Sequence, residues 1–482
     1  MHGHSIARIV GAYSIIFGLT LLAPMLICLI YGEYEQITNF LIPFFGSFIF
    51  GGSLWLVGQR RPDTLGHRDG FLIVALFWVI FSILGGWPLL IATNLTPIEA
   101  LFESVSGITT TGATVITGLD ELPKSILFFR QQLQWLGGMG LIVLGVAVMP
   151  MLGIGGMQLY RAEMPGPTKE EKMTPRLAQT ARALWLLYFG LTLACSVGYW
   201  FAGMNVFDAL AHSMSTVSTG GFSTHDASIG YFNSSEVELV SVIFMLLAAI
   251  NFAVHFSVWR NRNPLLYFKD PEALAFLRFV VVVVFVVSFM LLMEDEYEGL
   301  FDSVQDAIFE VVSLVTSTGF AKVDFSHWPD FLPLLLIFIS FVGGCGGSTA
   351  GGIKVMRVML LIKQGQQQVQ SLIHPHALMP LRIGRRTLDT KLMQGIWGFF
   401  GFYLATFSIL VLLMVHAGLD ERSAFAAVAT CMNNLGPGLG DVAYTFQGVS
   451  DFGKLLSIIA MLLGRLEIFT LLVLLSPSFW LR

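Results

Sequence analysis

The chain has 482 residues, of which 55% are hydrophobic and only 12% charged, about half the charged share of a soluble domain. Lipid must cover most of such a surface, so an ordinary water-soluble globule is excluded. The net charge of −5 leaves no footprint for nucleic acid, and Cys28, Cys195, Cys345 and Cys431 show neither metal spacing nor a disulfide framework.

Apolar stretches near or above 20 residues mark membrane spans. They fall at about 8–30, 38–58, 70–93, 125–150, 183–203, 237–259, 274–293, 331–362, 392–417 and 452–476. The first is too long for a removed signal and reads as a span. The loops at 59–69, 159–182, 260–278 and 354–391 carry most of the Lys and Arg residues. This bias predicts a cytoplasmic location for them and for both termini. Most acids lie on the other side, where they would concentrate cations.

Four connections on that acidic side repeat one phrase, at residues 98–115, 206–223, 305–322 and 424–439. Aligning a terminal glycine in each pairs Gly112, Gly220, Gly319 and Gly436, separated by 108, 99 and 117 residues. Phe102, Glu103 and Ser106 precede Gly112 at the offsets of Phe309, Glu310 and Ser313 before Gly319. A fixed period of this kind defines the architecture. One Thr-x-Thr-Gly phrase alone is an ordinary turn; four at matching positions are not.

Each copy reads span, short helix, glycine-containing extended loop, span. A half-span at membrane depth must be buried in protein or line an aqueous path. Four of them around an axis would form a ring of carbonyls, with Gly allowing the required backbone. Thr111, Thr219, Thr318 and Leu435 precede the glycines. The partly negative C-terminal ends of the short helices would face the same axis and favour a cation.

The eighth span is interrupted by Gly343, Gly344, Cys345, Gly346, Gly347, Ser348, Thr349, Ala350, Gly351 and Gly352. Each Gly costs a helix about 1 kcal/mol relative to Ala, so this run predicts a flexible intramembrane loop below the ring that acts as a gate. The competing reading is close packing of small residues. Arg465 and Glu467 lie inside the last apolar run. Two apart, they do not share a helix face. Arg465 is expected to face the path and oppose cations, to tie the carbonyls of the Gly-rich loop, or both. His2, His4, His212, His255, His374, His376 and His416 form no ligand pattern, and no catalytic arrangement stands out, so an enzyme is not expected.

The phrases Thr109–Thr114 and Ser218–Phe222, with Gln134–Leu141, Gly343–Lys354 and Gly464–Thr470, resemble the Trk/Ktr/HKT cation transporter superfamily. Two helices ahead of the first repeat resemble its TrkH-type bacterial potassium uptake subunits, and the likeness runs along the whole chain. The resemblance implies an all-α integral membrane fold of about ten transmembrane helices. Four helix–loop–helix repeats would surround one pseudo-fourfold pore at 69–158, 180–262, 272–372 and 388–482, after an extension at 1–68. It implies a K⁺ filter at Thr110, Thr111, Gly112, Thr219, Gly220, Gly221, Thr318, Gly319, Leu435 and Gly436. K⁺ would bind there, Rb⁺ would follow it, and no covalent cofactor is needed.

Plant relatives with Ser at the first glycine carry sodium; Gly112 therefore implies potassium preference. Leu435-Gly436-Pro437 departs most from the pattern and implies lower symmetry. The resemblance also implies gating by the Gly-rich loop, a homodimer in the bacterial inner membrane, and a cytosolic nucleotide-binding ring of the TrkA type. This chain has no nucleotide-binding βαβ unit of its own. A cation-coupled secondary transporter is the rival reading, but it would show two inverted repeats rather than four parallel ones.

Overall fold

A computed structural model describes residues 3–58, 67–147, 177–294, 299–329, 331–375, 382–383, 386–387, 390–466, 473–474 and 476–480. Glu467, His2, His376, residues 59–66 and most of the loop at 159–182 lie outside the described residues. Among the described residues the regular elements are helices, apart from a two-residue ladder pairing Arg382–Ile383 with Arg386–Thr387.

The N-terminal extension is α1 (Gly3–Thr20), α2 (Leu22–Tyr31) and α3 (Ile37–Gly58). Pro24 cannot donate to the Thr20 carbonyl four residues back, and Gln132 takes that carbonyl instead at 2.8 Å. A Cβ on Gly11 would meet the Gly51 carbonyl at 2.5 Å, and one on Gly51 would meet the Gly11 carbonyl at 2.7 Å. Backbone contact through small residues is how helices associate where lipid removes the hydrophobic drive.

The first repeat is α4 (His67–Ala92), the half-helix α5 (Pro97–Ile108) and α6 (Lys124–Ala147). The second is α7 (Leu177–Phe201), the half-helix α8 (Val206–Ser218), α9 (Ser235–Ala248) and α10 (Phe252–Asn261). A short α11 (Leu266–Lys269) leads to the third: α12 (Pro271–Met293), the half-helix α13 (Leu300–Val315), α14 (Leu332–Ser340) and α15 (Val355–Ile373). The fourth is α16 (Thr390–His416), the half-helix α17 (Glu421–Met432) and α18 (Asp451–Arg465), with α19 (Pro477–Trp480) near the end. Glu33 fastens the extension to this array by accepting from Lys124 N (2.7 Å) and Ser125 N (3.0 Å) at the start of α6, where a helix favours an anion.

Among the described residues six helical segments are long and apolar enough to cross a membrane alone, and α9 with α10 makes a seventh. The remaining expected spans are α6, the broken pair α14 and α15, and α18, which runs to the edge of the described residues. The span expected unbroken at 237–259 bends by 97° between Ala248 and Phe252. Asn251 causes this: its side chain accepts from Ala253 N at 2.8 Å and starts a new helix. Apolar side chains such as Ile49, Val281, Phe285 and Leu412 point outward, each at least 68% exposed. The polar groups gather inside, around the half-helices.

Candidate functional site

Three of the four half-helices start at a side-chain cap, the exception being α13 with Gly299 at that place, and each stops where its chain turns into the centre. Thr96 and Glu99 form a reciprocal capping box at α5; Asn205 caps α8 and Asp420 caps α17. At the other end, one backbone bond recurs five residues back in all four copies. Thr111 N–H donates to the Ser106 carbonyl (2.8 Å), Gly220 to Ser215 (2.9 Å), Thr318 to Ser313 (2.9 Å) and Leu435 to Thr430 (2.8 Å).

The residues just before these, Thr110, Thr219, Ser317 and Asn434, all have positive φ, at 55, 52, 53 and 51°. The residues just after are Gly112, Gly221, Gly319 and Gly436, with φ of 85, 80, 77 and 99°. The second copy is therefore shifted by one residue from the sequence alignment: Gly221, not Gly220, matches Gly112. Gly220 stands instead where the other copies have Thr111, Thr318 and Leu435. The double glycine hid the register, because only the backbone angles tell the two apart.

The four loops close on one another. A Cβ on Gly112 would strike the Gly220 carbonyl, one on Gly221 the Thr318 carbonyl, one on Gly319 the Leu435 carbonyl, and one on Gly436 the Thr111 carbonyl. One carbonyl from each copy thus lies against the glycine of the copy before it, in the order one, two, three, four. Side chains are kept out, and only glycine tolerates both the angle and the approach. The four non-glycine residues at the turn position, one in each copy, hold left-handed backbone at about 1–2 kcal/mol each, a strain that clusters where geometry serves function.

Buried polar groups brace the strands that leave this ring; the sequence shows Glu103 and Glu310 at matching offsets, but not this role, and not His212 beside them. Eight residues before the ring position stand Glu103, His212, Glu310 and Ala427. Glu103 accepts from Val115 N at 3.0 Å, and Glu310 from Lys322 N (2.9 Å) and Val323 N (3.1 Å). His212 Nδ1 donates to the Asp208 carbonyl at 3.0 Å, leaving Nε2 to accept from the Ser223 hydroxyl at 2.9 Å. The fourth copy, with alanine, has no such brace. Gln134 fills the side of the second copy, accepting from Phe222 N at 3.1 Å.

Arg130 neutralises Glu103 at 2.7 Å, with side chains 1% and 0% exposed, and donates to the Ser223 carbonyl of the next copy at 3.3 Å. Replacing Arg130 by methionine strands a buried carboxylate, a loss of about 3–5 kcal/mol. Thermal unfolding is expected to show Arg130→Met well below a double variant that also carries Glu103→Gln; equal midpoints would refute the pairing.

On the acidic face the copies are tied by Lys322, at 2.8 Å from Glu238 and 2.6 Å from Asp306, and by Lys454, at 2.7 Å from Glu99. His225 lies between Asp120 and Asp208 and stacks on Tyr231 at 3.5 Å. Burial alone would lower its pKa, but hydrogen bonds and charge from Asp208 and Asp120 outweigh it and raise the pKa above 6.5. A raised folded value contributes stability fully present below the unfolded pKa and lost as pH rises through the folded one. Thermal stability should therefore fall as pH climbs from near 6.5 upward, and His225→Gln should flatten that fall; an unchanged slope would refute it.

Beneath the ring lies the Gly-rich segment, non-helical from Gly343 to Lys354 as its composition predicts. It is fastened rather than loose. Thr349 Oγ1 lies within hydrogen-bonding reach of the Val217 (3.1 Å) and Ala248 (3.2 Å) carbonyls, and Cys345 N donates to Ala249 (2.9 Å). Gly351 N meets the Ser317 hydroxyl, and a Cβ on Gly351 would strike the Asn433 carbonyl. Gly344 and Gly352 pack against their own neighbours in the same turn, Gly347 accepts from Phe252 N at 3.1 Å, and Ser348 donates to Cys345 at 2.6 Å. The segment thus crosses under copies two, three and four. The kink at 249–251 supplies the carbonyls that hold it, so the two broken helices interlock.

Arg465, 4% exposed, donates to the Thr349 carbonyl at 2.9 Å and lies 5.7 Å from the Trp78 ring centre. Among the described residues its Nε and Nη2 have no partner. The tie to the loop expected from sequence is present. All four cysteines are free and buried, and no metal cluster occurs among the described residues.

A family model described as TrkH, cation transport protein, matches residues 36–481. The chain is 50% identical over 485 residues to the Trk system potassium uptake protein TrkH of Vibrio parahaemolyticus, covering 100% of both. It is 46% identical over 482 residues to that of Escherichia coli K12, again with full coverage. Among solved structures it is similar to the crystal structure of the potassium transporter TrkH from Vibrio parahaemolyticus, with a TM-score of 0.92, 48% identity and 100% of both chains covered.

Proposed function

The chain belongs to the TrkH family of cation transport proteins, and we propose that it takes up potassium across the bacterial inner membrane through the ring of four loops. The observation that carries the reading is the closed order of carbonyls from Thr111, Gly220, Thr318 and Leu435 at the C-terminal ends of four half-helices. Carbonyl oxygens replace the hydration shell of an ion, and the helix ends add negative potential. Thr110, Thr219 and the four glycines hold those carbonyls in place. The pore repeats run 69–158, 180–262, 272–372 and 388–482, and both termini face the cytoplasm.

The Gly-rich loop and Arg465 obstruct the path beneath the ring. An inside-negative potential then drives K⁺ inward once the obstruction clears. A cytosolic nucleotide-binding ring of the TrkA type, docked on the basic face of a homodimer, supplies the opening force. The relatives named for a Trk potassium uptake system support this reading.

The test is isotope flux into liposomes holding the purified chain, with K⁺, Rb⁺, Na⁺ and Li⁺ competing. K⁺ and Rb⁺ should permeate best. Their exclusion would overturn the function, and equal entry of all four would overturn the filter.

A further inference from the structure

We propose that Glu272 is the positioning residue that holds the Gly-rich loop across the path, acting from the connection between the second and third repeats. This rests on the gate reading above. Glu272 is 2% exposed, and its Oε1 accepts from Gly346 N at 2.7 Å. It sits in the first turn of α12, set there by Asp270, whose Oδ1 accepts from Glu272 N at 3.1 Å and Ala273 N at 2.9 Å.

Besides Glu272, the ionisable side chains bonded to this loop are Arg465, through the Thr349 carbonyl, and Lys354, whose Nζ donates to the Ala350 carbonyl. A buried N–H left without its acceptor bears the full desolvation cost of that group, so the Gly346 bond weighs on where the loop sits. Glu272 and Arg465 thus both hold the loop, one through Gly346 N–H and the other through the Thr349 carbonyl.

The connection that carries Glu272 reaches the loop a second time. Tyr267 lies 2.7 Å from His255 Nδ1, and His255 Nε2 lies 2.8 Å from the Leu247 carbonyl. That carbonyl precedes Ala248 and Ala249, whose own carbonyls hold Thr349 and Cys345. Residues 262–272 thus end in both fastenings of one loop. A load applied to this basic connection moves Asp270 and Glu272 together and draws on Gly346. The role of Glu272 is mechanical: it touches the gate and never the ion.

The experiment uses the full chain in liposomes without any partner protein. It reads Rb⁺ influx and, by peptide mass spectrometry, the alkylation rate of each native cysteine. Cys345 lies in the loop; Cys195 and Cys431 lie in the helices around it. Glu272→Ala removes the acceptor, and Glu272→Asp draws the carboxylate back by one methylene. Each is expected to raise influx and Cys345 alkylation about tenfold, the size of one lost hydrogen bond, with Cys195 and Cys431 unchanged. Glu272→Gln keeps an oxygen for Gly346 and should restore both readings.

Wild-type influx and Cys345 reactivity in the Ala and Asp variants would overturn the proposal, provided that deleting residues 345–350 raises influx. Faster alkylation of all three cysteines alike would mark a merely structural role and overturn it too. No rise on deletion would instead overturn the gate, and the proposal with it.

Discussion

Replacing Gly319 by alanine lowers Rb⁺ uptake roughly a hundredfold and weakens what remains of discrimination against Na⁺. Gly319 has a φ of 77°, where a side chain costs about 1–2 kcal/mol. Its Cβ would also strike the Leu435 carbonyl and come within 2.6 Å of Pro437 Cδ. Neither neighbour is the end of a flexible side chain, so the third and fourth loops must separate. Each 1.36 kcal/mol of added barrier is tenfold in rate, and strain with displacement together supply about two such steps. Gly365→Ala is the control, since a Cβ there meets nothing within 4 Å and α15 gains a better helix former. Competitive flux in liposomes decides the matter: Gly319→Ala with normal uptake and selectivity would remove the ring from the ion path.

Arg465→Ala raises flux in the absence of a partner by about tenfold, and Arg465→Lys does so less. Two unit charges about 10 Å apart repel by about 1.7 kcal/mol at an effective dielectric of 20, which is a little over one power of ten. The guanidinium is buried, and its Nε and Nη2 are unpaired among the described residues, so its charge is poorly compensated. Removing it also frees the Thr349 carbonyl, loosening the loop in the same direction. Lysine keeps the charge but not the planar fork. Rubidium flux at matched protein density checks this; an alanine variant conducting like the parent would show that Arg465 is only a tie.

The interlocked kinks show where local reading fails. The glycine run at 343–352 announces a broken helix by composition alone. The break at 249–251 lies in an apolar stretch with one asparagine, and nothing local says that Asn251 caps a new helix rather than packing inside one. The carbonyls that the kink frees find their donors about a hundred residues on, in the Gly-rich loop. The braces are only partly legible: Glu103 and Glu310 repeat one residue type at matching offsets, but His212 holds the same structural position with a different side chain.

From its own order of residues, this chain determined a helical membrane protein, four copies of a half-helix and loop, and the place of the interrupted span. Those follow from apolar length, charge placement and glycine content, which act within a few turns of chain. Tertiary structure alone decided that Gly221 rather than Gly220 matches Gly112, that each glycine backs onto a carbonyl of the next copy, and that Glu272 and Arg465 hold one loop at Gly346 and Thr349. Backbone angles and contacts between distant segments settle only when the elements pack, because the partners that satisfy each buried polar group are chosen by packing.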